Sequence, residues 1–214
     1  MANRSLVYVV DDDVRILKKL DALLTSEGYD VRTFVHPDEF LLLEKPDIPT
    51  CLILDLGPED HNGLRVQRQL GGDEEMPVIV LSERSDIRTT VEAMRAGAIE
   101  FLLKPFDEEQ LLFSVRAALK QADEQWADRQ LVRRIRRCYV SLTPREREVL
   151  PYIVSGFLNK QTAYELGTSE VTIRFHRGQI MRKMRASSLA ELVWLASRLG
   201  IPVRTSMGRV LMSA

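Results

Sequence analysis

Several short apolar segments of this chain each stop at a side chain able to do chemistry. Leu6–Val10, Cys51–Leu54 and Val78–Leu81 are continuous apolar runs, Ile99–Leu103 is apolar but for Glu100, and Tyr29–Phe34 alternates. Between them lie stretches with apolar residues at helical spacing, such as Val14, Leu17, Leu20, Leu23 and Leu24 ahead of Gly28. Short apolar runs separated by amphipathic helices predict a parallel sheet covered on both faces, the doubly wound α/β class. Asp11 and Asp12, Asp55, Ser82 and Lys104 follow four of those runs. In an open parallel sheet the carboxyl ends of the strands share one edge, and ligands bind there. Three carboxylates, a hydroxyl and an ammonium are therefore expected to converge.

That set suits a divalent cation and phosphoryl transfer. Magnesium prefers carboxylate oxygens and water, which Asp11, Asp12 and Asp55 can supply. A carboxylate can also become a covalent aspartyl-phosphate. Asp55 is the best acceptor, because it ends the middle strand between the acids and Lys104. Lys104 is expected to pair with a phosphate oxygen and Ser82 to hydrogen-bond another.

Charge divides the chain. Residues 1–120 carry 14 Lys+Arg against 23 Asp+Glu, whereas residues 121–214 carry 16 against 8. A net −9 joined to a net +8 predicts an acidic domain followed by one that binds nucleic acid. No apolar run is long enough to span a bilayer, and the start shows no secretory cleavage pattern. Cys51 and Cys138 form no framework and read as free thiols in a reducing cytoplasm. From Asp107 onward the periodicity stays helical. Leu111, Leu112, Val115, Ala118 and Leu119 form a stripe, and 123–138 reads as a polar helical linker. Thr143-Pro144-Arg145-Glu146 is a helix start with N-cap, Pro and capping Glu. Asn159, Ser169 and Ser188 open three further helices, and 203–214 reads as a disordered tail.

Val9-Val10-Asp11-Asp12-Asp13, Leu54-Asp55-Leu56, Ser82 and Phe101-Leu102-Leu103-Lys104-Pro105-Phe106 resemble a bacterial receiver domain of two-component signalling, over residues 4–122. The resemblance implies a five-stranded, CheY-like parallel sheet of order 2-1-3-4-5. It implies phosphorylation of Asp55 by a sensor histidine kinase, with Mg2+ held by Asp11, Asp12, Asp55 and the Gly57 carbonyl. It also implies a cis Lys104-Pro105 peptide, and a switch in which Ser82 moves toward the phosphate and Phe101 swings inward. Two departures stand out. Glu59 replaces a common Pro in the Gly57-Pro58-Glu59 loop, and Glu83 replaces a small residue beside the expected phosphate.

Residues 139–202 resemble a LuxR-type helix-turn-helix, through Thr143–Leu150, Gly156, Asn159-Lys160, Ala163, Leu166-Gly167 and His176-Arg177 to Met184. Receiver plus this all-α, four-helix module is the LuxR/FixJ (NarL/FixJ) class of response regulator. In a helix-turn-helix the second helix enters the major groove, here about Glu170–Arg185. At 100° per residue, Ile173, Ile180 and Met184 face the core, while Val171, Phe175, Gly178 and Arg182 lie opposite. Arg174, Phe175 and Arg182 are expected near DNA, with Arg174 reading guanine and Phe175 touching a thymine methyl. By resemblance Lys160 and Thr172 contact phosphates. His176 stands between phosphate contact and packing. Arg177 falls on the inward side and is expected to pair with Glu146. Pro151 inside the first helix predicts a kink or local distortion, and Thr162 replaces a usual apolar residue.

The expected function is a transcription regulator that is not a steady-turnover enzyme, controlled by phosphorylation and dimerising on DNA. Its partners are a sensor kinase, double-stranded DNA and a second copy, with no membrane. The alternatives are a phosphate-independent receiver on the same DNA module, or a small-molecule phosphohydrolase.

Overall fold

The computed structural model describes residues 5–57, 66–67, 69, 76–83, 86–204 and 210–211. Two compact units divide between Ala127 and Asp128.

The first unit carries β1 (Leu6–Val10), α1 (Val14–Ser26), β2 (Asp30–Phe34), α2 (Pro37–Leu41), β3 (Thr50–Asp55), β4 (Val78–Ser82), α3 (Ile87–Arg95) and β5 (Ala98–Leu103). α4 (Glu108–Val140) begins in this unit. The expected helix near Leu64–Leu70 lies mostly outside the described residues. The sheet is parallel, in the order β2-β1-β3-β4-β5. Every residue of β1 and β4 is buried, which is why these strands read as continuous apolar runs and not as alternation.

Alternate side chains feed two cores. Tyr8, Val10, Leu52, Leu54 and Val80 pack with Phe40 on one face. Val7, Val9, Ile53, Ile79 and Leu81 pack with Leu17, Leu20, Leu111 and Val115 on the other. Register then aligns the strand ends. Val10 pairs with Leu54, Asp55 with Leu81, and Ser82 with Leu103. Asp55 and Ser82 within these pairs, and Asp11 and Lys104 one residue beyond them, therefore share the carboxyl edge.

The second unit holds the end of α4, then α5 (Pro144–Val154), α6 (Asn159–Glu165), α7 (Glu170–Met184) and α8 (Leu189–Arg198). Thr143 and Glu146 cap α5 reciprocally, Ser169 caps α7 and Ser188 caps α8. Ile135, Leu142, Val149, Leu150, Ile153, Ala163, Ile173, Ile180, Met184 and Leu192 form the core.

Residues 123–138, expected as a helical linker, lie in the second half of one 33-residue helix, and Ile135 within it is buried in the second unit's core. The predicted disordered tail pairs Val203–Arg204 (β6) antiparallel to Val210–Leu211 (β7). β-branched Val203 and Val210 favour that conformation, a signal too short to read as periodicity. α5 is helical from Pro144 to Val154 with Pro151 inside it. Thr162, buried in place of an apolar residue, has its hydroxyl satisfied by the Leu158 carbonyl at 3.1 Å.

The Tyr8 ring is wholly buried between Phe34 and Phe40, with centroids 6.1 and 5.3 Å away. Its hydroxyl has no hydrogen-bond partner among the described residues, and burial raises its pKa. An unmade buried hydrogen bond costs about 1–3 kcal/mol. Tyr8→Phe should therefore hold or raise stability, by up to about 1 kcal/mol in urea unfolding. A loss of more than that would show that the hydroxyl is bonded in solution.

Candidate acidic pocket and nucleic-acid interface

The carboxyl edge brings together the residues that the sequence singled out. Asp11 follows β1 and is buried, Asp12 is exposed, and Asp55 ends β3 partly buried. One carboxylate oxygen from each lies within 4.8 Å of the others. Lys104 follows β5, and its Nζ sits 2.7 Å from Asp11 Oδ2 and 2.7 Å from Asp55 Oδ1. The remaining oxygens are also held. Asp13 N–H donates to Asp11 Oδ1 at 2.8 Å, and Gly57 N–H to Asp55 Oδ2 at 2.7 Å.

Electrostatics follow from crowding. Burial raises the Asp11 pKa, and the hydrogen bonds from Lys104 and Asp13 only partly offset this. Burial would lower the Lys104 pKa, but its bonds to Asp11 and Asp55 outweigh that and hold it raised. The ammonium is thus fixed in its charged form between two carboxylates.

Local backbone sets these positions. The Lys104-Pro105 peptide is cis, and Lys104 N–H donates to the Ser82 carbonyl at 2.8 Å. Ser82 is buried at the end of β4. Gly57 has φ +75, and a Cβ there would lie 4.0 Å from Asp55 Oδ2. The positive φ, more than lack of space, therefore calls for glycine. Phe101 is half-buried against the core containing Leu54 and Val80. Glu83 is exposed and lines a pocket of about 460 Å³ with Ile16, Lys19, Lys104, Pro105 and Phe106. Pro58 and Glu59 lie outside the described residues.

In the second unit α7 divides as the helical wheel predicts. Ile173, Ile180 and Met184 are buried, while Val171 is 73% and Phe175 63% exposed. Arg174 and Arg182 are exposed; Arg174 lies 3.7 Å from Glu170, and Arg182 Nη2 donates to Gln179 Oε1. Gly178 opens onto empty space. Lys160 is exposed on α6, and the Thr172 hydroxyl is 2.8 Å from Ser169 Oγ. His176 is half-buried with its ring against Phe175, and its buried Nδ1 has no partner among the described residues.

The expected Glu146–Arg177 pair is corrected: Glu146 is buried and bonds Lys183 Nζ at 3.0 and 2.7 Å. Arg177 and Lys183 flank Ile180 on the wheel, each about 60° off centre on opposite shoulders. Periodicity placed both near the core and could not say which shoulder faces α5. Arg145 also went unnoticed; its Nη2 donates to the Leu166 carbonyl at the end of α6, at 2.9 Å. Trp126 Nε1 donates to the Asp47 carbonyl at 3.0 Å, a long-range contact without a sequence signal.

Comparison with known proteins gives concordant results. Residues 7–116 match the family described as response regulator receiver domain, and residues 140–196 match bacterial regulatory proteins, luxR family. The chain is 43% identical over 196 residues to the response regulator protein TodT of Pseudomonas putida, covering 91% of this chain and 86% of TodT. It is 32% identical to the transcriptional regulatory protein FixJ of Bradyrhizobium diazoefficiens, covering 94% and 98%. Among solved structures, the response regulator StyR matches with TM-score 0.80 and 39% identity, over 91% of this chain and 99% of StyR.

Lys104→Met should destabilise the first unit by about 3 kcal/mol at pH 7, because two crowded carboxylates lose their cation. A carboxyl whose folded pKa lies above its unfolded value binds protons more tightly when folded. Stability then rises as pH falls. The deficit should accordingly shrink in urea melts at pH 5, and millimolar magnesium should reduce it at pH 7. For Glu146, burial raises the pKa, but the Lys183 and Thr143 hydrogen bonds outweigh it, and the net shift is down. Its stabilisation is present above the unfolded carboxyl pKa and fades as pH drops through the lower folded one. Lys183→Met should lose that stabilisation at pH 7 and so show a flatter acid limb than wild type.

Proposed function

Because this chain belongs to the response regulators that join a receiver to a LuxR-type DNA-binding domain, we propose that a sensor histidine kinase phosphorylates Asp55 and thereby controls dimerisation and promoter binding. The supporting observation is the single ammonium of Lys104 held between Asp11 and Asp55.

The donor set fits magnesium: three clustered carboxylates, all hard oxygen ligands. Asp11, Asp12, Asp55 and the Gly57 carbonyl would hold it, and when bound it supplies positive charge against phosphoryl oxygens. The Asp55 carboxylate attacks phosphorus of a phosphohistidine. The P–N bond breaks, an acyl phosphate forms, and the departing imidazole takes a proton. Lys104 exchanges a carboxylate partner for a phosphate oxygen. Ser82 donates its hydroxyl to another oxygen, and Phe101, on the neighbouring strand, repacks with it. Ile87, Val91 and Met94 on α3 and Leu103 on β5 are exposed apolar side chains. Repacking there biases one surface toward a second copy. Two α7 helices then meet two half-sites. Arg174, Phe175 and Arg182 face base edges, with Lys160, Thr172 and His176 toward the backbone. Slow hydrolysis of its own acyl phosphate is the only turnover in this reading, and a cytoplasmic setting follows from a DNA target.

Glu83 favours a second reading, a receiver that works without phosphate. Its carboxylate lines the pocket that Lys104 also lines and would repel an incoming dianion. Acetyl phosphate with magnesium should label wild type to one phosphoryl group per chain and leave Asp55→Ala unlabelled. Beryllofluoride should shift wild type to a dimer on sizing. Glu83→Ala should change the phosphoryl lifetime severalfold. Unlabelled wild type that still binds DNA as a dimer would select the second reading.

A further inference from the structure

We infer that the last turns of α4 form a second DNA contact, an arginine face that grips phosphates beside the groove read by α7. The inference rests on the DNA-binding reading and adds a surface to it.

From 129 to 140 the helix contains Arg129, Arg133, Arg134, Arg136 and Arg137 and no acid. Ile135 fixes its orientation, being buried in the second unit's core with Leu131, Cys138 and Tyr139 packed alongside. At 100° per residue, all five arginines then fall on the far side of the helix, about 100° or more from Ile135. Arg133, Arg134, Arg136 and Arg137 are exposed. Among the described residues no acid pairs with Arg134, Arg136 or Arg137. Asp128, the acid just upstream, is taken by Arg198 of α8.

Such a face has a cost. Arg129 and Arg133 are four apart, as are Arg133 and Arg137, while Arg133 and Arg136, and Arg134 and Arg137, are three apart. Like charges at those spacings destabilise a helix. Upstream, α4 avoids this by mixing Glu108, Glu109, Asp123 and Glu124 with Arg116 and Lys120. The helix dipole rewards cations only in the last turn, where Arg137 alone lies. A polyanion offsets the repulsion directly. Arginine suits it better than lysine, because the planar fork meets phosphate oxygens in pairs.

Position agrees with this occupant. Arg147 Nη2 donates to the Val140 carbonyl at 2.7 Å, and its guanidinium lies 5.4 Å from the Tyr139 ring. One residue away, Glu146 holds Lys183. The arginine helix and the basic end of α7 (Arg182, Lys183, Arg185) are thus fastened to the same end of α5. The ends of the arginine helix and of the helix expected in the major groove are therefore both anchored at the start of α5.

The test uses the full chain, a 30-base-pair random-sequence duplex and a salt titration. Each lost phosphate contact should reduce the slope of log K against log salt by about 0.9. Arg134→Gln/Arg136→Gln/Arg137→Gln should therefore flatten it by about 2–3 and weaken low-salt binding tenfold or more. A triple lysine variant should recover most of the slope. Lys18→Gln/Arg95→Gln/Lys120→Gln, an equal charge change on exposed positions of the first unit, should leave the slope within about 0.5 of wild type. Circular dichroism confirms helix content in each. If the arginine variant matches wild type, or the control flattens the slope equally, the second contact is overturned while DNA binding stands. If wild type ignores the duplex, both fall.

Discussion

One ammonium holds the receiver's chemistry in place. Register in a parallel sheet forces Asp11 and Asp55 to be neighbours, because Val10 and Leu54 are paired just before them. Two carboxylates at that distance repel, and burial makes Asp11 harder to ionise. Lys104 Nζ, 2.7 Å from both, is the counter-charge that lets them coexist. Its backbone is positioned independently, by a ladder bond to Ser82 and the cis peptide that follows. Asp55, Asp11 and Lys104 are therefore set in place by strand pairing.

The second unit solves a different problem with similar means. A helix proposed to read DNA must expose one face and still be rigid. α7 does this by burying Ile173, Ile180 and Met184 while leaving Val171 and Phe175 bare. Apolar packing fixes its axis but resists rotation weakly. Lys183, bonded to both oxygens of buried Glu146, pins its far end. Glu146 also accepts from Thr143 N–H at the start of α5. One carboxylate thus ties the α5 cap to α7.

The sheet and the pocket were legible in the sequence because both depend on period and order. Runs of Val, Leu and Ile read as buried strands, and in a parallel sheet whatever follows each run must share an edge. The α7 faces were legible for the same reason, since a helical wheel is a local rule. What failed depended on contacts distant in the chain. Whether Arg177 or Lys183 meets Glu146 turns on how two helices dock, and both lie equally near the apolar stripe. The 123–138 segment is mostly polar, so its pattern carries the helix but not the burial of Ile135 in the second core, with Leu131 and Cys138 packed beside it. The Gly57 N–H bond to Asp55 was invisible because backbone donors carry no side-chain signal.

Magnitudes explain why the switch must be built around buried charge. Moving a two-state surface from 1:99 to 99:1 takes about 5.5 kcal/mol of differential interaction. An exposed ion pair contributes about 0–1 kcal/mol, so no surface rearrangement of charge would suffice. A dianion placed on Asp55 acts on a lysine whose side chain is only 10% exposed and on an acid that is fully enclosed. There the interactions are several times larger. In the proposed mechanism dimerisation would multiply the effect, because two half-sites bound together would count both α7 helices in a single free energy. On that proposal, a modest bias per protomer, delivered at buried charges, would separate bound from unbound DNA.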